Sequence, residues 1–306
     1  MPTLKQLRYL VAIAETLHFR RAAELSHISQ PTLSGQLREL EARLGVQLVE
    51  RSRAKVLLTP MGKEVATRAR AILRDVQDLI ELTAQGQSVL GGTLRLGVLS
   101  SSGPYLLPHI VPELHQTYPE LKLYVREAMP NVLLDDLDSG SLDFLIFPLP
   151  VKGADLRVAK LFREPLLIAA ARDHPLAQRD LAERADLKGE TVLALERGHR
   201  LHDQVRELCE DYGAELALDY EGTSLDTLRQ MAAMGMGLTF LPALYVRSEI
   251  SKEGDVVARR LRRRPPSRTL GMVWRRHTAR GEEFAALAEL MRGIIKSRLP
   301  EVTVIS

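Results

Sequence analysis

SQPTLSGQLRELEARLG, residues 29 to 45, predicts a helix with both of its ends marked in the sequence. Ser29 can cap the first turn, and Pro31 is tolerated there because the first backbone N–H groups of a helix have no partner. Gly45 is predicted to end the helix, because glycine readily adopts the left-handed conformation common at helix C-termini. Four leucines recur at helical spacing and predict a buried stripe: Leu33, Leu37, Leu40 and Leu44.

The segments on either side complete a small domain. Two short amphipathic helices are predicted upstream, at 4–15 and at 20–26. Their apolar positions are Leu7, Leu10, Val11 and Ala14 in the first and Ala22, Ala23 and Leu25 in the second. Downstream, 47–51 and 55–59 have the composition of two strands joined by a polar turn. Three helices followed by a hairpin predict a winged helix-turn-helix domain over residues 1–60.

A long helix follows at 61–87, opened by Thr59 and Pro60. Its apolar residues fall on one face: Val65, Ala69, Ile72, Leu73, Val76, Leu79, Ile80 and Thr83. Such a stripe on a projecting helix usually pairs with a second copy. Residues 61–90 are therefore predicted to be a dimerisation linker, with a hinge at 85–87 and at Gly91-Gly92.

From residue 93 apolar strands alternate with helices, which is the rhythm of an α/β fold with a parallel sheet. Strands are predicted at 93–99, 121–127 and 142–148, with helices at 104–117 and 130–138. A second set covers 165–266, and a strand at 269–274 and a helix at 281–298 return to the first sheet. Residues 91–306 thus form two lobes with a cleft: lobe I is 91–164 with 268–306, and lobe II is 165–267. The stretch Met234 to Gly237 is expected to end a helix and enter a buried strand at 238–241.

Charge and composition narrow the function. Residues 1–74 hold thirteen Lys or Arg against six Asp or Glu, although the net charge of the chain is only +3. A basic N-terminal domain is typical of a module that meets phosphates. No segment has the apolar length of a membrane span, and the N-terminus lacks the layout of a secretory signal, so a cytoplasmic location is expected. The single cysteine, Cys209, rules out an intrachain disulfide.

The third helix carries the candidate DNA contacts. Short or amide side chains crowd its N-terminal end, where base edges and phosphates lie in a major groove: Ser29, Gln30, Pro31, Thr32, Ser34 and Gln36. Arg51 and Arg53 lie in the wing and suit phosphates or a minor groove. The alternative is that these polar residues only solvate an exposed face. The basic charge and the helix order favour DNA.

These segments resemble the LysR family of transcription regulators. The resemblance is carried by about forty residues, among them Phe19-Arg20-Arg21-Ala22-Ala23, Ser29-Gln30-Pro31-Thr32-Leu33-Ser34, Leu40-Glu41, Leu44-Gly45, Leu48, Glu50-Arg51 and Leu58-Thr59-Pro60. Within that family the chain is most similar to the peroxide-sensing members, through His18 to Arg21, Gly103 to Pro108, Leu137 to Gly140 and Thr223 to Leu225. That likeness runs along nearly the whole chain.

The resemblance implies several properties. The sensing lobes would be similar to periplasmic solute-binding proteins, and the regulator would be a homotetramer, a dimer of dimers, on an inverted repeat in double-stranded DNA. RNA polymerase is a further candidate partner. Peroxide-sensing members use a reactive cysteine and a resolving cysteine, and the similarity places Arg200 at the reactive position and Cys209 at the resolving one. His199 and Asp203 are kept, whereas Ser101 and Pro130 replace threonines. Because a guanidinium cannot form a sulfenic acid or a disulfide, the disulfide switch is expected to be absent.

A small anionic effector is the signal we expect instead. Ser100, Ser101 and Ser102 precede a helix N-terminus, where backbone N–H groups favour anions. Arginine binds carboxylate or phosphate groups through two hydrogen bonds. The complete predicted set is Ser100, Ser101, Ser102, His199, Arg200, Asp203 and Thr223.

A purely structural role remains open for each part of that site. The serines could only cap a helix, and Arg200 could pair with Asp203 or Glu196 at the surface. The domain would then be constitutive or controlled by a partner. A residual redox response through Cys209 alone is the other alternative.

Other functional classes lack their signatures. The sequence has no phosphate-binding Gly-Lys loop, no dinucleotide-binding glycines after a strand, no zinc-protease helix and no serine-nucleophile elbow, so it is not expected to be an enzyme. His199, His202 and Cys209 do not have the spacing of a zinc site. No metal and no cofactor are predicted.

Overall fold

The structure is a computed structural model, and it describes residues 1–51, 56–84, 92–153, 155–220, 222–250 and 254–305. The chain divides into two compact units: Met1–Ser88 with the short segment Asp138–Ser141, and Val89–Leu137 with Leu142–Ser306. Among the described helices, none is long and apolar enough to cross a membrane.

The first unit has the predicted order of three helices, a hairpin and a long helix. Its elements are α1 (Leu4–Thr16), α2 (Phe19–Leu25), α3 (Gln30–Leu44), β1 (Val49–Arg51), β2 (Val56–Leu58) and α4 (Pro60–Ala84). The two strands pair antiparallel. The winged helix-turn-helix predicted from the sequence is therefore confirmed in its elements and their order.

Local chemistry explains these boundaries. The Ser29 side chain accepts a hydrogen bond from the Thr32 backbone N–H, and Gly45 ends α3 in the left-handed region at a φ of 70°. The Glu41 carboxylate accepts from the N–H groups of Leu48 and Val49 at 2.9 and 3.2 Å, which fixes the approach to the hairpin. Three of the four predicted leucines of α3 are buried. The fourth prediction is wrong, since Leu44 in the last turn is 37% exposed.

The apolar face of α4 is more buried in the first half of the helix than in the second. Ala66 and Ala69 are buried in the first half, whereas three large apolar residues of the second half are largely exposed: Ile72 at 44%, Leu79 at 66% and Ile80 at 50%. Burying such residues is favourable, so this half of the helix keeps apolar surface available in the single chain. The predicted hinge at 85–87 and 91 lies outside the described residues.

The second unit alternates strands and helices as predicted. Its elements are β3 (Thr93–Val98), α5 (Gly103–Thr117), β4 (Lys122–Glu127), α6 (Pro130–Asp138), β5 (Phe144–Leu149), β6 (Leu156–Ala171), β7 (Leu181–Ala182), β8 (Thr191–Leu193), α7 (Arg200–Tyr212), β9 (Glu215–Leu216), α8 (Leu225–Ala233), β10 (Leu238–Pro242), α9 (Ala243–Glu249), β11 (Val256–Leu261), β12 (Ser267–Arg275), α10 (Gly281–Arg298) and β13 (Thr303–Val304). The sequence did not predict β6 as one long strand.

Strand β6 joins the two lobes. Its first half pairs with β12, and its second half pairs with β10 and β11. The first sheet is mixed rather than parallel throughout: β3 lies parallel to β4 and β5, but β12 runs antiparallel to both β5 and β6. The prediction of a parallel sheet therefore holds only for its first three strands.

Each lobe has its own hydrophobic core. One core gathers side chains from the first sheet, α5 and α10, and includes Trp274 and Phe284. The other gathers side chains from the second sheet, α7 and α8, and includes Cys209, Phe240 and Tyr245. The predicted passage from Met234 into a buried strand is confirmed, since α8 ends at Ala233 and all five residues of β10 are buried.

Candidate functional site

The N-terminal end of α3 presents hydroxyl and amide groups to solvent. Ser29, Gln30, Pro31 and Thr32 are exposed. The Ser29 and Thr32 hydroxyls lie 2.8 Å apart, and the Ser29 oxygen also accepts the Thr32 backbone N–H. No hydrogen bond is described for the Gln30 side-chain amide. The first turn of α3 is thus fixed by its cap, and the Gln30 amide keeps both donors and acceptor for another molecule.

The remaining DNA candidates are less exposed or less fully described. Ser34 and Gln36 are half-buried, and the Gln36 amide donates to Glu39 at 3.2 Å. Arg51 ends β1, but its side chain and all of Arg53 lie outside the described residues. Two exposed basic residues that the sequence analysis did not select, Arg21 and Arg38, also belong to this unit. The sequence signal for both was the basic charge of the domain, and Arg21 also belongs to the stretch that carries the family resemblance.

A buried ion pair lies in the second unit. Arg268 at the start of β12 and Glu164 in β6 have side chains only 5% and 0% exposed, with Nε and Oε2 2.8 Å apart. The other Glu164 oxygen accepts the Leu244 backbone N–H at 2.9 Å. The Arg268 guanidinium also donates to the hydroxyl and to the carbonyl of Ser101, at 2.8 and 2.7 Å. Two charges removed from water are therefore compensated by each other and by further hydrogen bonds.

This network fixes the loop that precedes α5. Ser101 is 4% exposed and Ser102 is 2% exposed, and the Ser102 hydroxyl donates to the Leu99 carbonyl at 3.3 Å. Ser102 occupies the cap position of α5 without making a side-chain cap bond. Ser100, by contrast, is half-buried. Ser101 and Ser102 thus have structural partners inside the protein, and Ser100 is the most accessible of the three. The Glu and Arg of this network lie in β6 and β12, at positions that no motif in the sequence singles out.

Arg200 begins α7 and reaches the segment that follows β5. Its guanidinium donates to the Pro150 carbonyl at 2.7 Å. Neither pairing that the sequence left open, with Asp203 or with Glu196, is described. Glu196 instead lies 3.7 Å from Nε2 of His199, which is 6% exposed. Burial lowers the pKa of His199, and the Glu196 carboxylate opposes that shift.

The predicted effector residues therefore divide among separate environments. Ser101 bonds to Arg268, and Arg200 bonds to Pro150. Thr223 is exposed and precedes Ser224, whose side chain caps α8. Asp203 is exposed, lines a cavity with His202 and Arg206, and has no described ion pair. The described contacts do not bring these residues together in a single binding site.

Cys209 is a buried free thiol on α7. It is 3% exposed, and burial, with a smaller effect of Glu210, raises its pKa to about 11. The thiolate is the reactive form of cysteine, and at neutral pH this side chain keeps its proton. In the part of the chain that the structure describes, no group of three or more His, Cys, Asp or Glu residues is placed to hold a metal ion.

Comparison with known proteins gives a consistent result over the full length. Residues 4–63 match the family described as bacterial regulatory helix-turn-helix protein, lysR family, and residues 87–294 match the LysR substrate binding domain. The chain is 44% identical to the DNA-binding transcriptional dual regulator OxyR of Escherichia coli K12, over 98% of both chains.

Solved structures agree. A full-length OxyR from Pseudomonas aeruginosa with a cysteine replaced by aspartate has a TM-score of 0.79 and 37% identity, over 95% of this chain and 98% of that one. A Corynebacterium glutamicum OxyR with a cysteine replaced by serine, in a hydrogen-peroxide-bound form, has a TM-score of 0.66 and 33% identity, over 97% and 95%.

Proposed function

Since this chain belongs to the LysR family and is an OxyR-like, DNA-binding transcription regulator, we propose that it senses a small anionic molecule rather than peroxide through a disulfide. The observation that carries the proposal is the state of two residues on α7. Arg200 stands where the resemblance to peroxide sensors places the reactive cysteine, and Cys209, the only cysteine, is buried with a pKa of about 11. Neither residue supports the formation of a disulfide within the chain.

DNA recognition in this proposal uses the exposed end of α3. The Gln30 amide has the donor and acceptor needed for an adenine edge, and Ser29, Pro31, Thr32, Ser34 and Gln36 line the same helix. Arg51 and Arg53 in the wing would contact phosphates or the minor groove. The positive charge of this domain supports the assignment, because phosphate neutralisation supplies most of the sequence-independent affinity for DNA.

The effector in this proposal binds near Arg200 in the cleft between lobes, and Ser100 and Thr223 are the accessible hydroxyl residues of the predicted set. A carboxylate or phosphate could replace the single Pro150 carbonyl as the partner of the guanidinium, with two charge-assisted hydrogen bonds instead of one neutral acceptor. Ser101, Ser102 and His199 are buried and would act by holding the loop and α7 in place. Asp203 remains part of the proposed set, on the more exposed side of α7.

The domain limits and the assembly also belong to the proposal. We assign residues 1–60 to DNA binding, 61–90 to the linker and 91–306 to sensing, with lobes divided at 164/165 and 267/268. The exposed Ile72, Leu79 and Ile80 of α4 support pairing of two copies. Two pairs would make the homotetramer, acting in the cytoplasm on an inverted repeat beside RNA polymerase, as a regulator and not as an enzyme.

Thermal melting of the full chain tests the signal. Succinate, citrate, benzoate and inorganic phosphate form one arm, and hydrogen peroxide forms the other. An acid present at 100 times its dissociation constant adds about 2.7 kcal/mol to the free energy of unfolding. We expect a shift with an acid, its loss in Arg200→Gln, and its retention in the control Arg263→Gln, which changes an exposed arginine of the same unit. A peroxide shift that requires Cys209, without any acid shift, would contradict the proposal.

A further inference from the structure

A cavity lies on the second lobe, and neither Ser101 nor Arg200 is among the residues that line it. It has a volume of about 410 Å³ and lies between α7 and the segment from Leu216 to Tyr220, at the edge of the second sheet. Ala194 and Leu195 line it and are buried, and Leu216 and Ala217 are half-buried. This volume is in the range of small-molecule sites, which combine an apolar lining with a few polar groups.

One face of α7 supplies those polar groups. His202, Asp203 and Arg206 all line the cavity, and Arg206 lies four residues after His202 and three after Asp203, which places it beside each of them on the helix. Asp203 has no described ion pair. Arg206 bonds to Glu210 at 2.7 Å, but both side chains are about half exposed, so that pair is weak and a ligand can replace it. Within a single turn of α7 the cavity therefore offers one carboxylate and one guanidinium, while Arg197, just before the helix, lines it as a second guanidinium that already has a partner in the protein.

Two further groups have defined hydrogen-bonding roles. Nδ1 of His202 lies 2.7 Å from the Leu195 carbonyl oxygen. A carbonyl only accepts, so Nδ1 carries the proton and Nε2 of the neutral ring accepts. The Tyr220 hydroxyl is buried without a hydrogen-bond partner in the described part of the chain, and burial raises its pKa. It therefore remains a protonated donor. A buried hydroxyl without a partner costs free energy unless another molecule satisfies it.

We propose that this cavity binds an α-amino acid with an apolar side chain. The ammonium group would donate to Asp203 and to Nε2 of His202, and the carboxylate would accept from Arg206 and the Tyr220 hydroxyl. The side chain would cover the apolar lining. A simple carboxylate would be repelled by Asp203, and a simple amine by Arg206. A zwitterion satisfies both charges. The site goes beyond the proposed function: it does not use Arg200, and Asp203 is the one residue that it shares with the set proposed there.

Calorimetric titration of the full chain tests this proposal with three probes of similar shape. L-Leucine carries both charged groups, 4-methylpentanoate lacks the ammonium, and 3-methylbutylamine lacks the carboxylate. Loss of a charge-assisted hydrogen bond weakens binding by about tenfold. We expect leucine to bind at least about tenfold more tightly than either analogue. Absence of leucine binding up to about 10 mM, or equal binding of leucine and 4-methylpentanoate, would overturn the proposal.

Matched variants separate ligand binding from helix stability, because a carboxylate in the first turn of α7 also stabilises that helix. Asp203→Asn should weaken leucine binding about tenfold and leave 4-methylpentanoate unchanged or tighter. Arg206→Gln should weaken both probes that carry a carboxylate. Glu207→Gln, an exposed change on the same helix, should alter nothing. Leucine binding unchanged in Asp203→Asn and Arg206→Gln would overturn the site. Because the acid response in melting depends on Arg200, the two proposals can fail independently.

Discussion

The two compact units of this chain are each stabilised by hydrogen bonds, but the sequence separation of the bonded residues differs greatly between them. In the helix-turn-helix the Ser29 cap bonds three residues ahead, and Glu41 bonds seven and eight residues ahead. In the sensing unit Arg268 bonds to Ser101 across 167 positions, and Glu164 bonds to Leu244 across 80. The helix that we propose to recognise DNA is therefore encoded locally, whereas the second unit depends on a chain topology that brings distant segments together.

The largest effect on stability is expected at the buried pair of Glu164 and Arg268. Arg268→Met leaves the Glu164 carboxylate buried without its cation, which should lower the free energy of unfolding by about 3–5 kcal/mol. Denaturant unfolding followed by Trp274 fluorescence measures this, since Trp274 is the only tryptophan and lies in the core of the same unit. Adding Glu164→Gln to Arg268→Met should recover part of the loss. A single-variant loss under about 1 kcal/mol would show that the pair is not a structural anchor.

The second prediction concerns Cys209. Its pKa rises from 9.0 to about 11 in the folded chain, so at pH 8 the thiolate fraction is about a hundredfold below that of an ordinary thiol. Alkylation by iodoacetamide should be slower by at least that factor in the native protein than in denaturant. Mass spectrometry over time gives both rates. Equal rates would contradict the burial and restore Cys209 as a redox candidate.

The same thiol predicts a direction of pH dependence. The Cys209 thiol holds its proton more tightly in the folded state than in the unfolded state. Its contribution to the free energy of unfolding is therefore complete below pH 9 and is lost as the pH rises through about 11. Cys209→Ala should remove this contribution to the slope of unfolding free energy between those values. An identical slope in Cys209→Ala would contradict the assignment.

A smaller effect is expected in the helix-turn-helix. A Cβ at Gly62 would overlap the carbonyl oxygen of Leu48, and Gly62→Ala should lower the stability of this unit by about 1–3 kcal/mol. Hydrogen exchange of the Leu48 and Val49 amides measures the change locally. Gly35→Ala is the control: nothing lies within 4 Å of its added methyl, and alanine in a helix should raise stability by up to about 1 kcal/mol. Equal effects of both variants would contradict the close approach at Gly62.

The contrast in range explains how much the sequence could predict. Caps and helical spacing identified α3 from its Ser29 cap to Gly45, and α10 at its exact limits, because neighbours along the chain determine them. Leu44 was wrongly placed in the buried stripe because helical spacing alone does not show how far along α3 the packed face extends. β6 was missed because its polar first half and apolar second half belong to different sheets. The pairing of Glu164 with Arg268 depends on that topology, so residue spacing gave no sign of it.

A footprint of the full chain on its own promoter tests the central claim most directly. We predict a protected inverted repeat, with specific affinity reduced about tenfold or more in Gln30→Ala, as expected when one side chain that contacts a base edge is lost. The control Gln116→Ala, an exposed glutamine of the second unit, should bind as the unchanged chain does. An absent footprint, or an identical one with Gln30→Ala, would contradict recognition of DNA by the exposed end of α3.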